Sequence, residues 1–349
     1  MATLTQTAYL SRKIIKYGSI AVVCLLILRS IYITASTYWK KSHPPPLPAP
    51  TVSFGVLPKL KFPARTNLPP IALKLETISG SLPTLPDRTK VLFMPQSGSN
   101  LLAWDNAKAW AKNLGFSKEP ETIDKFNFHF LTETTPATTL NVNVLTRNFH
   151  LVYDWKNDLG ILSQGNLPSE SQAINQAKSF LDNSGISTQD LSSAEAIFLK
   201  YSNGNLLTTL FPSEANFVKI NFYRQSINDI KILPPNPKDS NIFVIISSST
   251  TQGKSIIEVK YTHFPISFEN FGTYPLKDAN TAWSQLAAGK GFIASLGNNP
   301  EGKVTVRNAY LAYYDSEEYQ NFLQPVIVFE GDNDFFAYVP AVMDKWQEQ

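Results

Sequence analysis

Cysteine is nearly absent: the 349 residues contain one, Cys24. That excludes an intramolecular disulfide framework and a cysteine-based metal cluster. Histidine is scarce as well. His43, His129, His150 and His263 are the full set, and no two stand four residues apart, so a His-Glu-x-x-His zinc helix is missing. Charged residues make up 17% of the chain, and they are unevenly placed. Residues 1–43 hold six basic groups (Arg12, Lys13, Lys16, Arg29, Lys40, Lys41) and no acid, leaving 25 basic and 28 acidic groups, net −3, in the remainder. A nucleic-acid partner, which asks for a basic face, is disfavoured. No G-x-S-x-G nucleophile elbow occurs. Gly289-Lys290-Gly291 and Gly297 follow a helical stretch, whereas a dinucleotide loop opens one, and Lys290 does not fit P-loop spacing. From these absences we expect no enzyme: no catalytic residue, no cofactor and no metal ligand.

What the chain does have is apolar sequence, 43% of residues with 12% aromatic, enough for a packed core. The longest apolar run lies at 17–39. As a helix rising about 1.5 Å per residue it would cover roughly 34 Å, enough to cross a hydrocarbon core. Tyr17 marks one end, and Tyr38 with Trp39 the other, as in an aromatic belt. Arg29 interrupts it at an insertion cost of about 2.5–3.5 kcal/mol. It reads either as a cation that snorkels to the interface or as a functional intramembrane Arg. A cleaved signal peptide, with Thr34-Ala35-Ser36 as the small-residue stretch, is the rival reading. The uncleaved anchor is preferred because the apolar stretch continues past Arg29. Arg12, Lys13 and Lys16 outnumber Lys40 and Lys41, which puts the N-terminus in the cytoplasm and the remainder outside it. The expected localisation is thus a single-pass cell-membrane protein with an extracytoplasmic C-terminal part.

Proline follows. His43-Pro44-Pro45-Pro46-Leu47-Pro48-Ala49-Pro50 favours an extended, stiff conformation, and prolines recur at 58, 63, 69 and 70. A stalk is preferred over a ligand for a proline-recognising domain. Short strands are expected at 71–77 and 89–94. Beyond them, helices are expected at 100–114 (stripe Trp104, Ala107, Ala111, Leu114), at 169–183 (stripe Ala173, Ala177, Phe180, Leu181) and at 276–288 (stripe Ala279, Ala282, Trp283, Leu286). Gln96-Ser97-Gly98-Ser99-Asn100 reads as a polar turn capping the first. Ser169 with Gln172 resembles a capping box for the second. Strands follow each helix, and Asn203-Gly204 signals a two-residue hairpin. The expected fold class is α+β: a transmembrane helix, a proline-rich stalk, then two to three small domains, each one helix packed on an antiparallel sheet. The expected divisions are 1–16 cytoplasmic tail, 17–39 anchor, 40–70 linker, and α+β units at 71–165, 166–275 and 276–349.

Residues 218–232, VKINFYRQSINDIKI, and 242–261, IFVIISSSTTQGKSIIEVKY, carry a resemblance. A strand ending in an aromatic and Gln, a turn, a short strand and a hairpin closing on Gly253-Lys254-Ser255-Ile256 resemble the PepSY-like regulators related to YycH and YycI. The stretch 306–314, then Leu323-Gln324-Pro325-Val326 and 337–341, is similar to the close of those domains. The chain departs from the pattern at Asp229, where the family has a turn Gly, and after Ala341, which no Gly follows. The resemblance implies one N-terminal membrane helix, an exported α+β region, and action through protein contacts on envelope-sensing machinery such as the WalK sensor kinase. The partners it implies are the membrane and a membrane protein such as a sensor kinase.

Candidate binding residues are few. Tyr310, Tyr313 and Tyr338, with Tyr314 and Tyr319, could line a peptide or glycan groove or fill a core. His129 and His150 could meet across a sheet; His263 falls at a strand end. Glu330-Gly331-Asp332-Asn333-Asp334 has the carboxylate density of a Ca²⁺ loop but reads first as a solvated hairpin turn. Asp315, Glu317 and Glu318 read as another solvated acidic loop. The function expected overall is a non-catalytic, membrane-anchored extracytoplasmic protein acting through protein–protein contacts. An envelope glycan- or peptide-binding module is the alternative, and an enzyme of unrecognised type a third reading.

Overall fold

A computed structural model describes residues 4–42, 48–66, 68–96, 102–163, 165–186, 188–251 and 253–348. The chain divides into two compact units, Met1–Ala49 and Pro50–Gln349. The first is a single helix, α1 (Leu4–Ser42), within which Arg12–Trp39 is long and apolar enough to cross a membrane. Tyr17, Arg29, Tyr38 and Trp39 all lie on it and are exposed. Most of the proline run, 43–47, lies outside the described residues.

The second unit is mixed α+β and rich in sheet. In chain order it holds β1 (Ala72–Leu75), β2 (Arg88–Phe93), α2 (Ala103–Asn113), β3 (Glu121–Thr122), β4 (Asn127–Leu131), β5 (Thr138–Asn143) and β6 (Phe149–Tyr153). Then come α3 (Glu170–Asn183), β7 (Leu191–Ser202), β8 (Asn205–Thr208), β9 (Phe217–Arg224), β10 (Lys231–Leu233), β11 (Ile242–Ser247), β12 (Ile256–Tyr261) and β13 (Ser267–Pro275). It closes with α4 (Ala279–Ala287), β14 (Phe292–Ser295), β15 (Lys303–Tyr314), β16 (Phe322–Leu323), β17 (Pro325–Gly331) and β18 (Phe335–Pro340).

The middle of the chain forms one antiparallel nine-stranded sheet, ordered β3-β4-β5-β6-β12-β11-β9-β7-β8. Helices α2 and α3 pack on it through Ala111, Ala173, Ala177 and Leu181, which meet Phe130, Val218, Ile220 and Val244. Residues 72–75 and strands between 292 and 340 build a second sheet, β1-β15-β17-β18-β14, with β10 also on β15. Helix α4 packs against this sheet through Ala282, Leu286 and Trp283. Strands β13, β2 and β16 form a third, small sheet.

This arrangement corrects the expected divisions. The first two expected units share one sheet, because β6 pairs with β12. Residues 71–94 belong with the C-terminal part, β1 running parallel to β15 and β2 pairing with β13 and β16. The sheets are therefore not all antiparallel. The linker expected at 40–70 is also shortened: from Pro50 on, the chain lies on the folded unit. Leu57 and Leu60 are buried, and the Leu57 N–H donates to the Trp346 carbonyl at 2.9 Å. The prolines stiffen this segment, but the interspersed leucines bury it.

The three helix stripes, and the capping box of α3, are as read from the sequence. Ser169 N–H donates to Gln172 Oε1 at 3.0 Å within a capping box. The turn expected to cap α2 lies, from Ser97 to Asn100, outside the described residues. Asn203 and Gly204, at φ 51° and 84°, form the two-residue turn that joins β7 to β8. Helix α4 starts later than expected, with Asp278 as its cap: Oδ1 accepts the Thr281 N–H at 2.9 Å and Oδ2 the Thr281 hydroxyl at 2.7 Å. These bonds hold the Asp278 carboxyl below its ordinary range. Asp278→Ala is expected to cost about 1 kcal/mol in a urea titration at neutral pH. Because the folded pKa is depressed, the charged cap contributes above the unfolded value and fades on acidification, so the difference between variant and parent should shrink as the pH falls below the ordinary carboxylate range. An undiminished gap at low pH would contradict this account.

Candidate functional site

β9 carries an apolar sequence and is buried along most of its length. It ends in a cation, Arg224, whose side chain is only 6% exposed. A buried guanidinium needs carboxylates. Asp190, in the loop after α3, supplies one at 3.1 Å, and Asp315, just after β15, supplies the other at 3.3 Å. Arg224 thereby ties the nine-stranded sheet to the C-terminal sheet. Asn241 Nδ2 reinforces the junction by donating to the Asp315 carbonyl at 2.9 Å. Asp315 is thus not part of a solvated acidic loop as expected; it is a buried counter-ion.

Asp190 has a second partner. His263 Nε2 lies 2.6 Å from Asp190 Oδ2. Partial burial would raise the Asp190 carboxyl, but the bond from His263 and the charges of His263 and Arg224 outweigh it and hold the pKa at about 2. The His263 backbone N–H donates to Asn148 Oδ1 at 3.0 Å. Its ring stacks on Tyr261, 5.7 Å between centroids, and Tyr261 stacks in turn on Phe149 at 5.7 Å. Burial first, then the nearby Asp190 charge, pushes the Tyr261 phenol up to about 12. Trp110 meets Phe149 edge-on at 5.1 Å, and its indole N–H donates to the Ser184 carbonyl at 2.7 Å.

These groups form part of the wall of a cleft of about 1170 Å³. Five segments converge on it: α2 by residues 103–110, the turn after β5 at 142–147, the loop after α3 at 184–190, the turn after β9 at 224–228, and the chain at 261–268. Apolar surface comes from Trp110, Ile186, Ile227, Ile266 and Phe268, and polar groups from Asn106, Arg147, Gln225, Ser226 and Asn228. A mostly preformed concavity with apolar walls and a few fixed polar groups is the usual form of a binding site.

The residues singled out in the sequence lie elsewhere, His263 excepted. Tyr313 and Tyr338 are fully buried, and their hydroxyls donate to the Lys90 and Pro234 carbonyls, each at 2.9 Å. Tyr310 is half-buried against the same core, and burial pushes its phenol up to about 12. The tyrosine groove is therefore corrected to core packing: Tyr310 and Tyr338 pack with Leu60, Leu233 and Phe292, and Tyr313 packs with Leu92, Met94 and Phe264. His129 and His150 do not meet. Asn141 stands between them on β5, with Nδ1 of His129 at 2.8 Å from Asn141 Oδ1 and Nε2 of His150 at 2.8 Å from Glu258 Oε1. In the loop at 330–334, Asp332 is held by Arg307 at 2.7 Å and Asp334 by Lys238 at 2.7 Å. Those carboxylates are committed to cations, and no group of three metal-ligating side chains occurs among the described residues. His43 lies outside them. Sequence reading missed Arg147, Asp190 and Arg224. An Arg closing an apolar strand was the available signal for the last; Asp190 carries none, because its partners are distant in sequence, and Arg147 reads as an ordinary turn residue.

No family model matches the chain, and no curated protein matches it. Among solved structures, an uncharacterized protein from Eubacterium rectale ATCC 33656 is similar at 12% identity, covering 74% of this chain and 82% of that one, with a TM-score of 0.36. A score at that level carries no argument about fold or role.

Proposed function

We propose that the chain is a single-pass membrane protein, N-terminus in the cytoplasm, whose exported unit acts by binding a segment of a partner protein and performs no catalysis. The cleft of about 1170 Å³ carries this reading: it is large, amphipathic and built from five segments of one folded unit. The long apolar helix and the basic residues before it support the tether and its orientation. A regulatory contact with an envelope-sensing membrane protein, such as a sensor kinase, is the role we assign to the complex.

The test is site-specific photo-cross-linking of the full chain in its native membrane. A photo-reactive residue at Ser226, exposed on the cleft wall, is expected to give one discrete protein adduct. The same group at Leu207, exposed but outside the cleft, is expected to give none. Asn106→Trp, on the exposed mouth-facing side of α2, should reduce the Ser226 adduct at least tenfold while leaving the thermal midpoint within a degree or two. Equal labelling from both positions, or none from Ser226, would sink the protein-partner reading. One observation favours a second, catalytic reading: the His263–Asp190 pair at 2.6 Å has the geometry of a base held by its orienting carboxylate. That reading requires turnover of a panel of ester and amide substrates, abolished by His263→Gln.

A further inference from the structure

We propose that the cleft takes an acidic peptide, with a carboxylate held by Arg147 and peptide groups held by the amide side chains around it. This rests on the reading of the cleft as a binding site, and adds the chemistry of what binds.

The charged or titratable groups of Arg, Asp and His on the cleft wall are, among the described residues, Arg147, Asp190, His263 and Arg224. Three of them are satisfied by one another and by Asp315. Arg147 is the exception: exposed, and forming no ion pair among the described residues. A cleft with one uncompensated guanidinium attracts an anion, and a carboxylate matches the guanidinium fork with two parallel hydrogen bonds.

The backbone under Arg147 is fixed in place. It sits at φ 61°, the left-handed region where a side chain is disfavoured and Gly or Asn is the ordinary occupant. The turn is pinned on both sides. Asn143 Oδ1 accepts the Leu145 and Thr146 N–H groups at 3.1 and 3.0 Å, and the Arg147 N–H donates to the Asn143 carbonyl at 2.8 Å. Asn148 bonds the His263 backbone, as described. The root of the Arg147 side chain is therefore set before any ligand arrives.

The neutral polar groups indicate a peptide. Asn106, Gln225 and Asn228 are exposed on the wall, and their amides make no side-chain hydrogen bond among the described residues. Each offers one acceptor and two donors, the complement of a peptide group. A sugar would want open aromatic faces, but Tyr261 is covered by Phe149 and His263, and Trp110 is packed edge-on with its N–H spent. Phe268 is the one exposed ring on the wall among the described residues. The remaining apolar surface, Ile186, Ile227 and Ile266, suits aliphatic side chains.

The experiment uses the full chain in lipid nanodiscs and two synthetic pools of capped hexapeptides, identical except that one has Glu and the other Gln at a fixed central position. Affinity selection followed by titration is expected to show the best Glu peptides binding about tenfold more tightly than their Gln partners. Arg147→Asn removes the charge and suits the left-handed backbone better. It should bring both peptides to the weaker affinity with an unchanged or higher thermal midpoint, and Arg147→Lys should restore part of the preference. Equal binding of Glu and Gln peptides, or a preference that survives Arg147→Asn, would overturn the carboxylate assignment. If those peptides are still blocked by Asn106→Trp, the cleft reading stands. Blockable binding of chito-oligosaccharides with no peptide bound would overturn the peptide assignment alone. Failure of every probe, together with a Ser226 adduct indifferent to Asn106→Trp, would overturn the cleft reading itself.

Discussion

Arg224→Met is expected to destabilise the folded unit by about 3–5 kcal/mol. The side chains of Arg224 and Asp315 are 6% and 7% exposed, and Asp315 has no other cationic partner among the described residues. Removing the guanidinium strands that carboxylate in a low-dielectric junction. Urea unfolding at pH 7 would measure the loss. Arg224→Met with Asp315→Leu should recover most of it, since the apolar pair carries no uncompensated charge. A double variant no better than the single would show that the junction fails for lost shape, not charge. Acid titration gives an independent check. Asp190 is depressed to about 2 in the folded state, from an ordinary 3.8. Its contribution is fully present above pH 3.8 and disappears as the pH falls through 2. Without Arg224, one of the two cations lowering Asp190 is gone, so the acid limb of unfolding should move to higher pH.

Gly302→Ala should cost about 2–4 kcal/mol, out of proportion to one methyl group. Gly302 sits at φ 72°, and an ideal Cβ there would lie 2.3 Å from the Pro70 carbonyl oxygen, a backbone atom that cannot swing aside. The strain falls on residues 69–72, where the Ala72 N–H donates to the Gly302 carbonyl at 2.9 Å and opens the β1–β15 pairing. Gly289→Ala is the control. Gly289 has a similar φ of 75°, but nothing lies within 4 Å of its ideal Cβ, so it should show only the conformational cost of about 1 kcal/mol. Hydrogen exchange should show Ala72 to Leu75 losing protection in Gly302→Ala and keeping it in Gly289→Ala. Equal melting temperatures for the two variants would rule out the clash.

Local features were legible in the sequence; pairings between distant segments were not. The helix stripes, the Ser169–Gln172 box and the Asn203-Gly204 turn are written within a few residues, and all three appear as read. β13 was missed because its period is broken: a register shift between Ser267 and Phe271 destroys the alternation. β1 and β2 were assigned to the wrong neighbours because four to six residues specify that a strand exists and not which edge it joins. The tyrosines illustrate a different limit. Aromatic density is the same signal in a groove and in a core, and only the residues packed on the faces of β15 and β18 decide it. The cleft was invisible for a related reason. Its polar groups come from segments spread over residues 106 to 263, and His263, noted as a strand-end residue, acquires its role from an Asp in another loop.

The pairing of the two ends of the folded unit has a consequence for how the chain acquires its structure. Ala72 finds its partner at Lys303, and Leu57 is pinned to residues 346 and 348, whereas every strand of the nine-stranded sheet lies between 121 and 261. During synthesis the middle sheet can therefore close while the earliest strands still wait, their apolar residues open to wrong partners. Closure of this part of the fold therefore waits for residues 346–348, which come long after Leu57 in the chain. Loss of a few residues after Pro340 should consequently expose the chain near Leu57 to proteases, so that damage at one end is read out at the other.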